Sequence, residues 1–281
     1  MTPSARTKVA AVIGSPVRHS LSPVIHNAAF RAHGDDWTYV AYEVEPRHAA
    51  AAIDAMRVLG LAGLSVTMPH KELVIPALDD IDDHASVIRA VNTVVRDAHG
   101  RLIGHNTDGR GGVDALVQAG ADLSSVAVVG AGATARALIA ALAERGASVV
   151  VANRSPERLR EAVEAGNRVR MGSTTTTDVA DVADHPTVIN TTPLGMSGIA
   201  PDALPFDVDS LGAGHCVLDV VYHPLETPLV RASRTRGCVV VDGIDMLCAQ
   251  AARQQELWLG RRPSTGLMRD AALGELVTVQ R

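Results

Sequence analysis

The chain has 281 residues, 47% of them hydrophobic and 20% charged, with only 2% aromatic and a formal net charge of -5. That length suits one large or two medium domains, and the core must be built from Ala, Val, Leu and Ile. The acidic balance gives no electrostatic case for nucleic acid or an anionic membrane, and no apolar run approaches the roughly 18 residues of a membrane span.

The start, Met1 to Lys8, lacks the apolar stretch of a signal peptide, so the expectation is a cytoplasmic protein. Cys216, Cys238 and Cys248 are widely spaced with no C-x-x-C, and the histidines show no metal-ligand spacing. Neither a disulfide framework nor a metal is expected.

From Lys8 the pattern alternates. Val9 to Ile13 reads as a buried strand, Ser22 to His33 as a helix, Thr38 to Val44 as a strand and Arg47 to Leu59 as an alanine-rich helix, which predicts a parallel α/β domain. A strand at Gly63 to Met68 follows, then helical segments at Lys71 to Leu78 and Asp83 to Ala90. Asn92 to Arg96 and Leu102 to Asn106, joined by Asp97-Ala98-His99-Gly100, read as a hairpin, and Asp108 to Gln118 as a connecting helix.

The stretch from Val126 to Arg158 organises the rest. An apolar run, Val126 to Val129, leads into Gly130-Ala131-Gly132-Ala133-Thr134-Ala135, an alanine-rich helix and a second strand, Ser148 to Ala152. This is a βαβ unit with a G-x-G-x-x-A turn. Gly130 permits the tight turn, Gly132 lets backbone approach a pyrophosphate, and Ala135 lets helix and strand pack closely, leaving helix N–H groups for the phosphates. A bare tight turn between buried elements would also fit the motif. Where an NAD site carries an acid roughly 20 residues on, this chain has Asn153, Arg154, Ser155 and then Arg158. An arginine fork suits a 2′-phosphate that a carboxylate would repel, so the reading is NADP; solvated helix-start charges are the alternative.

Beyond it, Met171 to Pro186 reads as a loop with one short helix and Ser197 to Gly214 as a Gly/Pro/Asp-rich connection. Strands are expected at Thr187 to Asn190, Cys216 to Val221 and Cys238 to Val241, and helices at Met246 to Leu259 and Leu267 to Val277. No pattern rule says where those last helices dock.

Three further places carry candidate chemistry. Ser20 and Ser22 sit ahead of Pro23, where they form either a helix cap or an anion site. Thr67 and Lys71 stand past a strand end, where open parallel sheets bind ligands; Lys71 is a proton donor or simply a solvated lysine. Asp108, after Asn106-Thr107, is a reacting carboxylate or an N-cap.

Taken together the chain resembles the shikimate dehydrogenase family over almost its whole length. The resemblance rests on Ser20-Leu21-Ser22-Pro23, Val66-Thr67-Met68-Pro69-His70-Lys71, Ala90-Val91-Asn92-Thr93 with Asn106-Thr107-Asp108-Gly109, and Asp242-Gly243-Ile244-Asp245-Met246-Leu247 followed by Gln250. It implies an α/β chain with a discontinuous substrate domain, residues 1–107 and 244–281, to which the C-terminal helices return, and a Rossmann-type NADP domain, residues 108–243. The implied activity is NADPH-dependent reduction of 3-dehydroshikimate to shikimate on the route to aromatic amino acids, by a monomer or homodimer acting on a small molecule.

Carried over by residue, Lys71 and Asp108 resemble the catalytic pair, Lys71 giving a proton to the developing alkoxide. Ser20 and Ser22 resemble carboxylate binders, and Thr67, Asn92, Tyr222 and Gln250 partners of the substrate's carboxylate or hydroxyls. Thr191, Thr192, Pro193, Met196 and Val220 would line the cofactor, with Gly243 and Met246 near its nicotinamide. The chain departs from the usual pattern at Ala133-Thr134-Ala135, at His223 after Tyr222, and at Gln255, where an aromatic residue is common. A quinate or aminoshikimate-type dehydrogenase is the enzymatic alternative, and a noncatalytic NADP-sensing regulator the alternative of another class.

Overall fold

The computed structural model describes residues 2–279. The chain divides into two compact units, Met1–Thr107 with Gln250–Arg281, and Asp108–Ala249.

The first unit is built on a six-stranded sheet of β1 (Lys8–Gly14), β2 (Trp37–Glu43), β3 (Gly63–Val66), β4 (Asp80–Ile81), β5 (Thr93–Arg96) and β6 (Leu102–His105), in the order β2-β1-β3-β5-β6-β4. Strand β1 is parallel to β2 and β3, whereas β5 runs antiparallel to both β3 and β6. Ala10 to Ile13 of β1 are buried, as an apolar run covered on both faces must be. Around the sheet lie α1 (Ser22–His33), α2 (Ala49–Leu59), the short α3 (Asp83–Ile88) and α9 (Thr265–Val279), which packs on α1.

This unit differs from the sequence reading in places: β3 ends at Val66 rather than Met68, and α3 at Ile88 rather than Ala90. Lys71 to Leu78 forms turns and a single 3-10 turn at Ile75–Ala77, because Pro76 lacks the N–H a helix needs and pushes the residue before it out of helical geometry. The two-residue edge strand β4, which pairs with β6, has no period to betray it.

The second unit holds an all-parallel sheet of β7 (Ser125–Val129), β8 (Ser148–Ala152), β9 (Thr174–Thr176), β10 (Thr187–Asn190), β11 (Cys216–Asp219) and β12 (Val239–Val241), in the order β12-β11-β10-β7-β8-β9. This is the Rossmann-type arrangement, with its topological switch between β7 and β10. Helix α4 (Asp108–Gln118) crosses α5 (Ala133–Glu144) at Gly109, where an added Cβ would lie 1.9 Å from the Ala137 carbonyl oxygen. Helix α6 (Pro156–Val169) follows β8, and α7 (Pro228–Thr235) is started by the Thr227 side chain, which accepts the Val230 N–H.

Edge strand β9 falls inside the stretch read as loop. Strand β11 stops at Asp219 rather than Val221, because the Asp219 carboxylate accepts the Val221 N–H and turns the chain. Helix α8 (Gly243–Leu259) starts ahead of the expected Met246, since Asp242 accepts the N–H groups of Ile244 and Asp245. Among the described residues no helix is long and apolar enough to cross a membrane.

Candidate substrate and dinucleotide sites

In the second unit the turn after β7 has the shape a dinucleotide requires. Gly130 sits at φ +108°, and a Cβ there would come within 2.3 Å of the Thr191 hydroxyl. Gly132 is the N-cap of α5, with no side chain capping the helix, and a Cβ built on it meets nothing within 4 Å. The backbone of Ala131 to Ala135 therefore presents unblocked N–H groups in front of open space, a cradle that fits a pyrophosphate. Ala135 itself is fully buried, as close helix packing demands.

Beyond β8, Asn153 folds back on the Ser155 carbonyl at 3.1 Å, and Ser155 caps α6 by accepting the Arg158 N–H. Arg154 and Arg158 are exposed, and no carboxylate pairs with either among the described residues. Two guanidinium groups left to solvent beside the strand end fit the 2′-phosphate of NADP better than a ribose hydroxyl.

The segment running from Thr191 to Met196 is anchored at one end. Thr191 binds the Val129 carbonyl through its N–H and its hydroxyl, both at 2.8 Å, while Thr192 gives its N–H and hydroxyl to Asn190 Oδ1 at 2.9 and 2.7 Å. Asn190 in turn donates to Asp219 at 2.9 Å, and Asp219 also accepts the Thr227 hydroxyl at 2.6 Å. Burial raises the Asp219 carboxyl above the usual carboxylate range. Sequence reasoning missed Asp219, although a lone acid ending an apolar strand was the available signal. Val220 donates its N–H to Asn190, and Gly243 lies so close to Val221 that a Cβ would meet its carbonyl at 2.6 Å. Met246 is buried, Pro193 accepts the Met196 N–H, and burial raises the Tyr222 hydroxyl. Asp108, the first residue of α4, is buried.

In the first unit Ser22 is not a cap. Leu21 occupies the N-cap position of α1 without a side-chain bond, and Ser22, buried, is the first residue of the helix itself. Ser20 Oγ accepts the Ser22 N–H at 3.2 Å. Thr67 follows β3 with its N–H on the Ile13 carbonyl at 3.0 Å and its methyl over Gly14, where a Cβ would clash at 2.5 Å. The turn bearing Lys71 is tied to the neighbouring strand: the Lys71 carbonyl accepts the Val91 N–H, and the Asn92 carbonyl accepts the Val66 N–H, both at 2.8 Å. His70, fully buried, steadies that turn from behind through a 2.7 Å bond to the Val44 carbonyl.

Asn92 is buried and donates through Nδ2 to Gln250 Oε1 at 3.1 Å and to the Thr107 hydroxyl at 3.0 Å. The structure thus joins Asn92 to Gln250 directly, and among the described residues no side-chain bond of Ser22 reaches them. Tyr39 donates to Ser65 at 2.6 Å, Ser65 to Gln254 Oε1 at 2.9 Å, and Gln254 to the Thr93 hydroxyl at 3.0 Å. None of these four buried residues was singled out from the sequence, because each is an ordinary core residue by local rules.

Comparison with known proteins follows the same division. The family model of the shikimate dehydrogenase substrate binding domain matches residues 12–94, that of the shikimate 5'-dehydrogenase C-terminal domain residues 243–273, and that of an NADP oxidoreductase, coenzyme F420-dependent, residues 125–220. The shikimate dehydrogenase (NADP(+)) of Moorella thermoacetica is 42% identical over 275 residues, covering 94% of this chain and 92% of its own. A crystal structure of a shikimate dehydrogenase in complex with NADP+ superposes with a TM-score of 0.91 at 33% identity, covering 98% of this chain and 97% of that one. The Thermus thermophilus enzyme in complex with NADP(H) and shikimate gives 0.87 at 32%, covering 95% and 99%.

Proposed function

The chain belongs to the shikimate dehydrogenase family, and from that membership we propose that it catalyses the reversible reduction of 3-dehydroshikimate to shikimate with NADPH. The observation that carries the reading lies in the first unit. Two backbone bonds fix the Lys71 turn beside Asn92, so that a lysine stands next to the Asn92–Gln250 carboxamide pair, one buried and one half-buried, at one end of the sheet, outside the strand ends.

In this reading Lys71 gives its proton to the oxygen of the ketone as it becomes an alkoxide. A positioned acid of this kind contributes about 10² to 10⁴ in rate. Asn92 and Gln250 hold substrate hydroxyls, Ser20 and Ser22 bind the carboxylate, and Thr67 and Tyr222 complete the substrate contacts. Asp108 accepts from the hydroxyl beside the reacting carbon. The nicotinamide, when bound, supplies the hydride. Gly130 to Ala135 would hold its pyrophosphate and Arg154 with Arg158 its 2′-phosphate, while Asn153, Ser155, Thr191, Thr192, Pro193, Met196, Val220, Gly243 and Met246 complete the cofactor contacts.

Initial rates with shikimate, quinate and an amino analogue, each with NADP+ and NAD+, test the whole reading. The highest kcat/KM is expected for shikimate with NADP+. Preference for quinate or for NAD+ would reassign the substrate or cofactor, and NADPH binding without turnover of any of the three would indicate a sensor.

A further inference from the structure

The core of the first unit holds a polar chain with no obvious structural reason to be there. His26, fully buried, meets Gln254 Oε1 through Nε2 at 3.2 Å and Gln255 Nε2 through Nδ1 at 3.0 Å. Gln254 passes on to the Asn92 carbonyl at 3.2 Å and the Thr93 hydroxyl at 3.0 Å, and Thr93 donates to Asn92 Oδ1 at 2.7 Å.

Three backbone groups, the Asn92 and His26 carbonyls and the Thr107 N–H, decide the donors in this chain. The Asn92 carbonyl can only accept, so Gln254 must turn its amide nitrogen toward it and its oxygen toward His26. His26 then carries its proton on Nε2 and accepts at Nδ1 from Gln255, whose amide nitrogen the His26 carbonyl also holds as a donor at 3.2 Å. At the other end the Thr107 N–H, which can only donate, reaches Asn92 Oδ1 at 2.8 Å. Asn92 Nδ2 therefore faces Gln250 Oε1, which leaves Gln250 its NH2 with which to meet a ligand as a donor.

This order has a cost. Gln255 Oε1 is buried without a hydrogen-bond partner, a penalty that apolar residues at 26 and 255 would remove. The ring has no slack, being stacked on Tyr39 at 4.2 Å with planes 7° apart.

We propose that His26, locked as the Nε2–H tautomer, is a positioning residue: through Gln254 and the Thr93 hydroxyl it works with the Thr107 N–H to hold the Asn92 carboxamide, and with it Gln250, in the orientation that offers Gln250 N–H to a substrate oxygen. This rests on the assignment of Asn92 and Gln250 to the substrate.

The test pairs kinetics with nuclear magnetic resonance. His26→Phe keeps a ring on Tyr39 and removes both nitrogens; KM for shikimate should rise about tenfold, equivalent to about 1.4 kcal/mol, with KM for NADP+ unchanged. His26→Gln, whose amide nitrogen can stand in for Nε2, should recover most of the loss. In nitrogen-15 spectra the wild-type ring should show the Nε2–H tautomer, and the side-chain amide signals of Asn92 and Gln250 should move in His26→Phe while that of Asn190, in the second unit, stays. A proton on Nδ1, or unmoved amides and unchanged KM in a folded His26→Phe, overturns the proposal. If His26→Phe does not fold, the wild-type tautomer and the His26→Gln amide signals decide it. If the wild type does not turn over shikimate, the substrate assignment fails while the tautomer and amide signals still judge the positioning role.

Discussion

The His26 imidazole lies flat on the Tyr39 phenol ring, 4.2 Å between centroids, and is completely shielded from water. Burial pulls its pKa down to about 3 from 6.5, the Gln254 hydrogen bond opposing only in part. The unfolded chain thus takes up a proton on His26 below about pH 6.5, whereas the fold refuses it until about pH 3. Within that window the unfolded state binds more protons, so stability falls as pH drops and is at its full value above it. The slope from this residue approaches about 1.4 kcal/mol per pH unit. Urea midpoints at neutral and mildly acidic pH should fall more steeply for wild type than for His26→Phe, and parallel slopes would falsify the shift.

A second expectation concerns the cofactor. Charge-assisted hydrogen bonds contribute about 1.5–3 kcal/mol, so Arg154→Ala should raise KM for NADP+ about 10- to 100-fold. KM for NAD+, which lacks the 2′-phosphate, should hardly change, and Arg158→Ala should act in the same direction. The comparison of both cofactors on each variant separates lost phosphate binding from a disturbed fold. Equal losses with NAD+ and NADP+ would place the 2′-phosphate elsewhere.

For Lys71 the expected change is in turnover. Lys71→Ala should lower kcat by about 10² to 10⁴ while shikimate still binds, as judged by equilibrium titration. The thermal midpoint serves as the control for folding. Near-normal kcat would remove Lys71 from the chemistry.

How far the sequence reached depended on whether the determining contacts were local. The G-x-G-x-x-A turn was legible because its requirements, a left-handed Gly130 and an uncapped Gly132, are met by residues next to each other. Pro76 was equally local, yet the apolar spacing from Lys71 to Leu78 outweighed it in the reading. The Ser22-Pro23 pair satisfied the rules of a helix cap, but the helix begins one residue earlier, with Leu21 at the cap and Ser22 buried inside it. His26 and Gln254 are 228 residues apart, so neither hydrophobic period nor turn chemistry could bring them together. The same holds for Gly109 and Ala137, whose close approach explains a glycine that the helix pattern alone disfavours.

The two glycines of the turn should fail in different ways. At Gly130 the backbone is left-handed at φ +108° and a methyl would lie 2.3 Å from the Thr191 hydroxyl, so Gly130→Ala combines strain with collision. Backbone strain of this kind costs about 1–3 kcal/mol, and the thermal midpoint should fall. At Gly132 the backbone is extended, at φ -78° and ψ -173°, and a Cβ meets nothing within 4 Å, so Gly132→Ala should leave the midpoint in place. Its methyl would instead stand in the space before the α5 N–H groups. KM for NADP+ and for NAD+ should then rise together, because both cofactors carry the pyrophosphate but only one the 2′-phosphate. Unchanged KM for both would mean that the pyrophosphate does not approach Gly132, and the cradle would have to be sought at another helix end.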